Sequence, residues 1–263
     1  MWHNLAQLPR YRGLIQSLVG RELKARYRGS ALGFLWSFVN PLMLLLVYWF
    51  VFATVQPHID ESTHPFALFM FCGILPWTWF SASLVEASSS LITHGNLIKK
   101  VLFPAEILPI VTVLANMVHF FFGLLILICL LIFTKHWPYP MDLLWFPVTV
   151  FVQLIFTTGL ALFLSALTVL FRDIRDILTN VLTLWFFATP IVYPYFLPTV
   201  QKYLPIFKLN PFYHLAVAYQ EILFFHHIGQ RAWLLALGAA SVVLFLAGYW
   251  LFDRLRDSFA EAV

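Results

Sequence analysis

Charge is what this sequence lacks most. Of its 263 residues only 11% are Asp, Glu, Lys or Arg, while 61% are hydrophobic. Soluble domains carry roughly 25% charged residues, and so little polar surface cannot cover so apolar an interior. Lipid is therefore the solvent, and the chain reads as an integral membrane protein. The two cysteines, Cys72 and Cys129, sit inside apolar runs and form neither a CxxC nor a loop pair, which argues against a disulfide framework or a metal site. The first 28 residues have no short apolar stretch ending in small residues, so they do not read as a cleaved signal. A basic balance, with an isoelectric point near 9.1, has no soluble domain to turn it toward nucleic acid.

Chemistry is missing too. The stretches 31–55, 143–171, 177–193 and 232–252 contain no Asp, Glu, Lys, Arg or His, and the other apolar stretches hold only Glu86 and His119. Ion-coupled transporters place carboxylates or proton relays near the bilayer midplane, so secondary transport is disfavoured. HExxH and GxSxG are absent, and the adjacent His226 and His227 read as an interfacial polar tip rather than as metal ligands. There is no GxxxxGK[ST] to cradle nucleotide phosphates. If the chain moves a substrate uphill, another polypeptide must supply the energy.

What is present is long apolar runs. A bilayer core takes about 20 apolar residues per helix, and six stretches fit or nearly fit: 31–55, 65–90, 107–134, 143–171, 177–193 and 232–252. The fifth is short and is interrupted by Pro190 and Pro194. With six spans both termini share a side. That side carries twelve cations (Arg10, Arg12, Arg21, Lys24, Arg26, Arg28, Lys99, Lys100, Arg172, Arg175, Arg254, Arg256), against Lys135, Lys202, Lys208 and Arg231 on the other. The excess of Lys and Arg on cytoplasmic loops places both termini in the cytoplasm. No internal repeat or low-complexity segment is visible.

Three segments outside the runs carry pattern. Across 8–28, Tyr11, Leu14, Ile15, Leu18, Val19 and Leu23 share one helical face and Arg21, Lys24 and Arg28 the other. This predicts an amphipathic helix lying in the membrane interface, with Glu22 turned toward the apolar face and wanting a partner. Residues 194–231 combine prolines 194, 198, 205 and 211 with many aromatic rings, and Asn210-Pro211 reads as a helix cap and first residue. Too apolar for a wet loop and too broken to span, this segment predicts short re-entrant helices shielded by other protein. Between the second and third stretches, Leu97, Ile98, Val101 and Leu102 recur at helical spacing beside Lys99 and Lys100, before Pro104. A short amphipathic helix there offers a knob to a soluble partner, or serves as a plain connector. In Phe171–Leu178, Arg172 and Asp176 pair at i, i+4, which helix-end solvation explains by itself.

These motifs resemble the polysaccharide-exporting permeases of the ABC-2 type over essentially the whole chain. A basic amphipathic helix is followed by LGxLWxxxxP, matched by Leu32, Gly33, Leu35, Trp36 and Pro41. Then come "NLIKKVLFPAEILP", "FRDIRDIL", "TPIVYP" and "LNPF" in the family's order. The resemblance implies an all-α protein of six spans with an N-terminal interface helix and re-entrant helices between spans five and six. It implies a homodimer with the pathway between the copies, and two separate cytoplasmic ABC ATPase subunits that carry ATP and Mg; this chain itself takes no cofactor. Residues 94–103 would be the coupling helix in an ATPase cleft, with His94, Asn96, Leu97, Ile98, Lys99, Lys100, Leu102 and Phe103 as its contacts. The interface helix, with Arg21, Glu22, Lys24 and Arg26, would lie against the same machinery.

The implied substrate is a lipid-linked glycan (O-antigen, capsule or teichoic acid), and the implied location is a bacterial inner membrane. Aromatic rings without fixed charge suit sugar C–H faces, which makes Trp36, Trp77, Trp79, Tyr193 and Tyr195 candidates for the pathway. Two other readings stay open: an ABC-2 exporter of a drug or small lipid, and a membrane acyl- or glycosyltransferase using Glu86, Glu106 or His119.

Overall fold

The computed structural model describes residues 8–51, 63–99 and 103–262, and these form helices and turns with no strand among them. After a 3-10 turn at Leu8–Tyr11, helix α1 runs Arg12–Arg26. A second 3-10 turn at Gly33–Leu35, where Gly33 adopts φ +51, leads into α2, Trp36–Phe50. The long helix α3, Phe66–Thr93, is followed by the four-residue α4, Gly95–Ile98. Then come α5, Ile107–Phe133, and α6, Trp145–Leu170, the latter entered through a turn at Pro140–Leu143. Helix α7 is Ile174–Phe187. Three short helices follow: α8, Pro198–Lys202, α9, Leu204–Leu209, and α10, Pro211–Gln220, which continues as a π turn to Phe225. The last helix, α11, is Arg231–Ala262.

Among the described residues, five segments are long and apolar enough to cross a membrane: Gly33–Phe50, Phe66–Thr93, Ile107–Phe133, Pro140–Leu170 and Arg231–Arg256. The chain is an all-α integral membrane protein. Where the sequence reading set a fifth stretch at 177–193, the helix starts at Ile174 and stops at Phe187. Pro190 has no N–H to give and disfavours helical geometry at Thr189 before it. Fourteen residues reach about 21 Å, short of a hydrocarbon core of roughly 30 Å. At the other extreme α11 continues beyond residue 252 to Ala262. Residues 52–55 of the first stretch lie outside the described residues.

Helix α3 is the axis of the bundle, packed against α5, α6 and α10, while α6 pairs with α11. Of the α3 span 78% is buried within the chain, against 11% for the span containing α2. The α6–α11 pair approaches backbone to backbone at two glycines. A Cβ on Gly159 would lie 2.8 Å from the Phe245 backbone, and one on Gly248 would strike the Gly159 carbonyl oxygen. Close crossings at small residues are how helices gain van der Waals contact in lipid, where no hydrophobic force draws them together.

Helix α1 lies across the start of α5, with Leu18 packed on Ile107 and Val111 and flanked by Tyr11, Leu14, Ile15 and Val19. At the opposite end of the bundle, residues Phe212 to Gln220 of α10 are all buried, the shielding that a helix too short to span requires. Asn210 caps α10 by accepting from the Phe212 N–H at 3.0 Å. It also accepts from Trp185 Nε1 at 2.6 Å and donates to the Ala188 carbonyl and Thr189 Oγ1, so one side chain ties the end of α7 to the start of α10. Gln220 Nε2 donates to the Pro190 carbonyl at 2.9 Å, and Gln153 Nε2 to the Pro76 carbonyl at 2.8 Å.

Candidate functional site

Helix spacing puts Thr78, Ala82 and Glu86 of α3 one above another on a single face. All three line two adjoining cavities. One, of about 490 Å³, reaches toward α2 and α5 and is walled by Trp36, Asn40, Pro41, Asn116 and His119. The other, of about 510 Å³, reaches toward α7 and is walled by Trp77, Ser81, Thr179, Leu182, Thr183 and Phe186. Together they form a groove along α3 between α2 and α7. Hydroxyls, amides and rings line it, and Arg26 and Glu86 are its only formal charges among the described residues.

Those two charges form the node at one end of the groove. Arg26, in the last turn of α1, makes an ion pair with Glu86 of α3 and donates to Asn116 Oδ1 of α5 at 3.0 Å. Asn116 Nδ2 donates to the same Glu86 oxygen at 2.7 Å. Next to it, Tyr27 Oη meets His119 Nδ1 at 3.3 Å and accepts from Ser37 Oγ at 2.8 Å. The node thus joins α1, α2, α3 and α5. A cation in the last turn of α1 also complements the helix dipole.

The family model described as ABC-2 type transporter matches residues 13–224. The chain belongs to the ABC-2 type transporter family. It is similar to the O-antigen export system permease protein RfbA of Myxococcus xanthus, 43% identical over 260 residues that cover 98% of each chain. Two proteins of the same description from Klebsiella pneumoniae are 30% and 28% identical over 250 residues, 94% of each chain.

In this ABC-2 chain the residues singled out from sequence fall into separate places. Trp36 and Trp77 reach the groove, one in each cavity. Trp79 borders the first cavity but is 2% exposed, with Nε1 donating to the Val113 carbonyl at 3.1 Å and its ring against Phe120. Tyr193 and Tyr195 lie beyond α7. Tyr193 Oη donates to the Phe187 carbonyl at 2.8 Å, and Tyr195 Oη to Glu221 Oε1 at 3.2 Å. Glu221 also accepts from the Gly229 N–H at 2.9 Å, so one carboxyl joins the π turn after α10 to two loop segments outside the candidate spans. Burial raises the Glu221 carboxyl above its usual range, and burial together with that carboxyl raises the Tyr195 hydroxyl.

At the other end of the bundle, Asn96 and Lys99 are exposed, His94 Nδ1 sits 3.0 Å from the Ser90 carbonyl, and Leu97, Ile98 and Phe103 pack inward. Lys100 and Leu102 lie outside the described residues. On α1, Arg21 and Lys24 are exposed. Glu22 is half-buried and makes no ion pair among the described residues; the inward partnership belongs to Arg26, one turn later. Asn116 was missed from sequence. An amide in an apolar 27-residue helix was the available signal, because an uncompensated polar group in lipid needs a partner.

Proposed function

We propose that this chain is the permease subunit of an ATP-driven exporter that moves a lipid-linked polysaccharide out of the cytoplasm across the inner membrane. The observation that carries the reading is the groove along α3: it is neutral apart from one self-compensated ion pair, and it is lined by rings and hydroxyls. A sugar polymer can slide over such a surface without being trapped by fixed charge. The near full-length likeness to proteins named for O-antigen export supports a glycan, and O-antigen within that class.

The groove is half of a pathway, and a second copy of this chain completes it. Helix α2 leaves Met43, Val47 and Phe50 more than half exposed, and α7 does the same with Ile177, Leu184 and Phe187. These two flanks are the faces that would meet their equals. Helix α7 and the segment tied to its end through Asn210 together make the sixth crossing, so both termini lie in the cytoplasm with twelve of the sixteen Lys and Arg side chains. Without a P-loop, the chain takes its energy from two ATPase subunits that bind ATP and Mg and press on residues 94–103 and on α1. No cofactor sits in this chain, and it performs no chemistry on the substrate.

The test is Ala82→Trp, which fills the groove floor. In cells lacking the native gene, the unaltered chain restores surface glycan. The Trp variant, inserted and bound to its ATPase in normal amount, leaves lipid-linked glycan inside. Normal surface glycan from the Trp variant refutes the groove as the path. Full export of a small drug with no effect on glycan refutes the substrate class.

A further inference from the structure

Helix α11 is longer than a bilayer requires. Its 32 residues extend about 48 Å, and its candidate span already ends at Arg256. Across the end of that span and beyond it runs an apolar row, Phe252, Leu255 and Phe259, spaced so that all three share a face. Phe252 and Phe259 are 1% and 0% exposed, and their rings meet edge to face at 5.0 Å. What they cover is the turn that faces the ATPase in the reading above. Leu97, Ile98 and Phe103 pack against the cluster that these rings form with Leu91, Ala105 and Leu108. Just before α5, Glu106 is 3% exposed and lies 3.9 Å from the Arg256 guanidinium.

A four-residue helix cannot hold its own shape, because nucleation costs more than one turn of hydrogen bonds returns. Helix α4 is therefore as stiff as whatever it leans on, and it leans on α11. Leu97 and Ile98 are spent inward, which leaves Asn96 and Lys99 as its outward face. The family match ends at residue 224, before α11 begins.

We propose that Phe252, Arg256 and Phe259 of α11 are positioning residues that brace the coupling turn from behind. A push on Asn96 and Lys99 then travels into α3 and α5 instead of bending α4. This inference rests on the ATPase partnership proposed above.

The experiment uses the full chain co-expressed with its ATPase and reconstituted in proteoliposomes. Three quantities are read: ATPase retained on the permease, ATP hydrolysed, and glycan moved per ATP. In Phe259→Ala the ATPase stays bound and hydrolysis continues, while glycan moved per ATP falls about fivefold. Phe259→Leu recovers most of that ratio, and Trp250→Ala, on an exposed part of the same helix, leaves it unchanged. Arg256→Gln, at a half-exposed side chain, lowers the ratio without the risk of misfolding that a core ring carries.

A wild-type ratio in both Phe259→Ala and Arg256→Gln overturns the proposal. So does a proportional fall of hydrolysis and export, which would mark mere loss of folded protein. Failure of the unaltered chain to retain any ATPase overturns the partnership and this inference with it, and is read in the first measurement alone.

Discussion

Removing the Arg26 guanidinium tests whether the node holds α1 to the bundle. In Arg26→Gln, Glu86 keeps the Asn116 bond at 2.7 Å but loses its cation. The side chains are 21% and 41% exposed, so the pair lies between the surface and buried limits. Exposed pairs contribute about 0.2–1 kcal/mol, and breaking a buried pair costs about 3–5 kcal/mol. Solvent reaches Glu86 more than Arg26, which sets the expected loss near the lower middle, about 2 kcal/mol. Glu86→Gln costs a similar amount, since it strands Arg26 instead.

The double variant removes both charges, so the two losses overlap and a double-mutant cycle returns a coupling of about 1.5 kcal/mol. The assay is reversible unfolding in mixed micelles. Hydrogen exchange across Arg12–Arg26 should accelerate in each single variant and less in the double. Strict additivity, or unchanged exchange in α1, would refute the argument.

Three further outcomes follow from the same structure. Gly248→Leu drives a side chain into the Gly159 carbonyl, which cannot swing aside; the thermal midpoint should fall, with a loss of about 3 kcal/mol or more, and an unshifted midpoint would mean that the α6–α11 crossing is looser than described. Asn210→Ala removes the α10 cap and leaves Trp185 Nε1 without its acceptor, for a summed cost of about 2–3 kcal/mol; amide exchange in α10 should quicken, and Asn210→Asp, which keeps the acceptors, should recover part of it. The Glu221 carboxyl is raised by burial, so the folded state holds its proton more tightly than the unfolded chain. Its contribution to stability is then full below the unfolded value and lost as pH rises through the raised one. Glu221→Gln should flatten that fall in a pH series of unfolding midpoints, and a wild-type slope in the variant would count against it.

The apolar stripe on α1 was legible from sequence because a period near 3.6 fixes which residues share a face, and Tyr11, Leu14, Ile15, Leu18 and Val19 do meet one surface. Asn210 was legible for a similar reason: cap chemistry is local, and Pro211 after it leaves little choice. What a helix face touches is not local. The helical projection turned Glu22 inward, yet it is Arg26 whose long side chain reaches α3 and α5, a matter of how far apart those helices stand. The amphipathic pattern at Leu97 and Ile98 fits a knob for a soluble partner or a plain connector, and it does not say what covers these side chains within the chain. They pack on a cluster that includes Phe252 and Phe259, far along the chain. Hydropathy also ran smoothly across 177–193, and only the backbone chemistry of Pro190 marks where α7 stops.

The contact of Gly159 with Gly248 also orders events in time. Helix α11 is the last of the described helices to leave the ribosome, and until it arrives the Gly159 face of α6 is a notch open to lipid. Helix α3 meets α6 through the Gln153–Pro76 bond and the stacked Phe80 and Phe156 rings, not through Gly159. The bundle therefore closes only after synthesis has passed α11. A nascent chain halted short of it would present to the membrane's quality-control proteases a bare seam of small residues that the finished protein never shows.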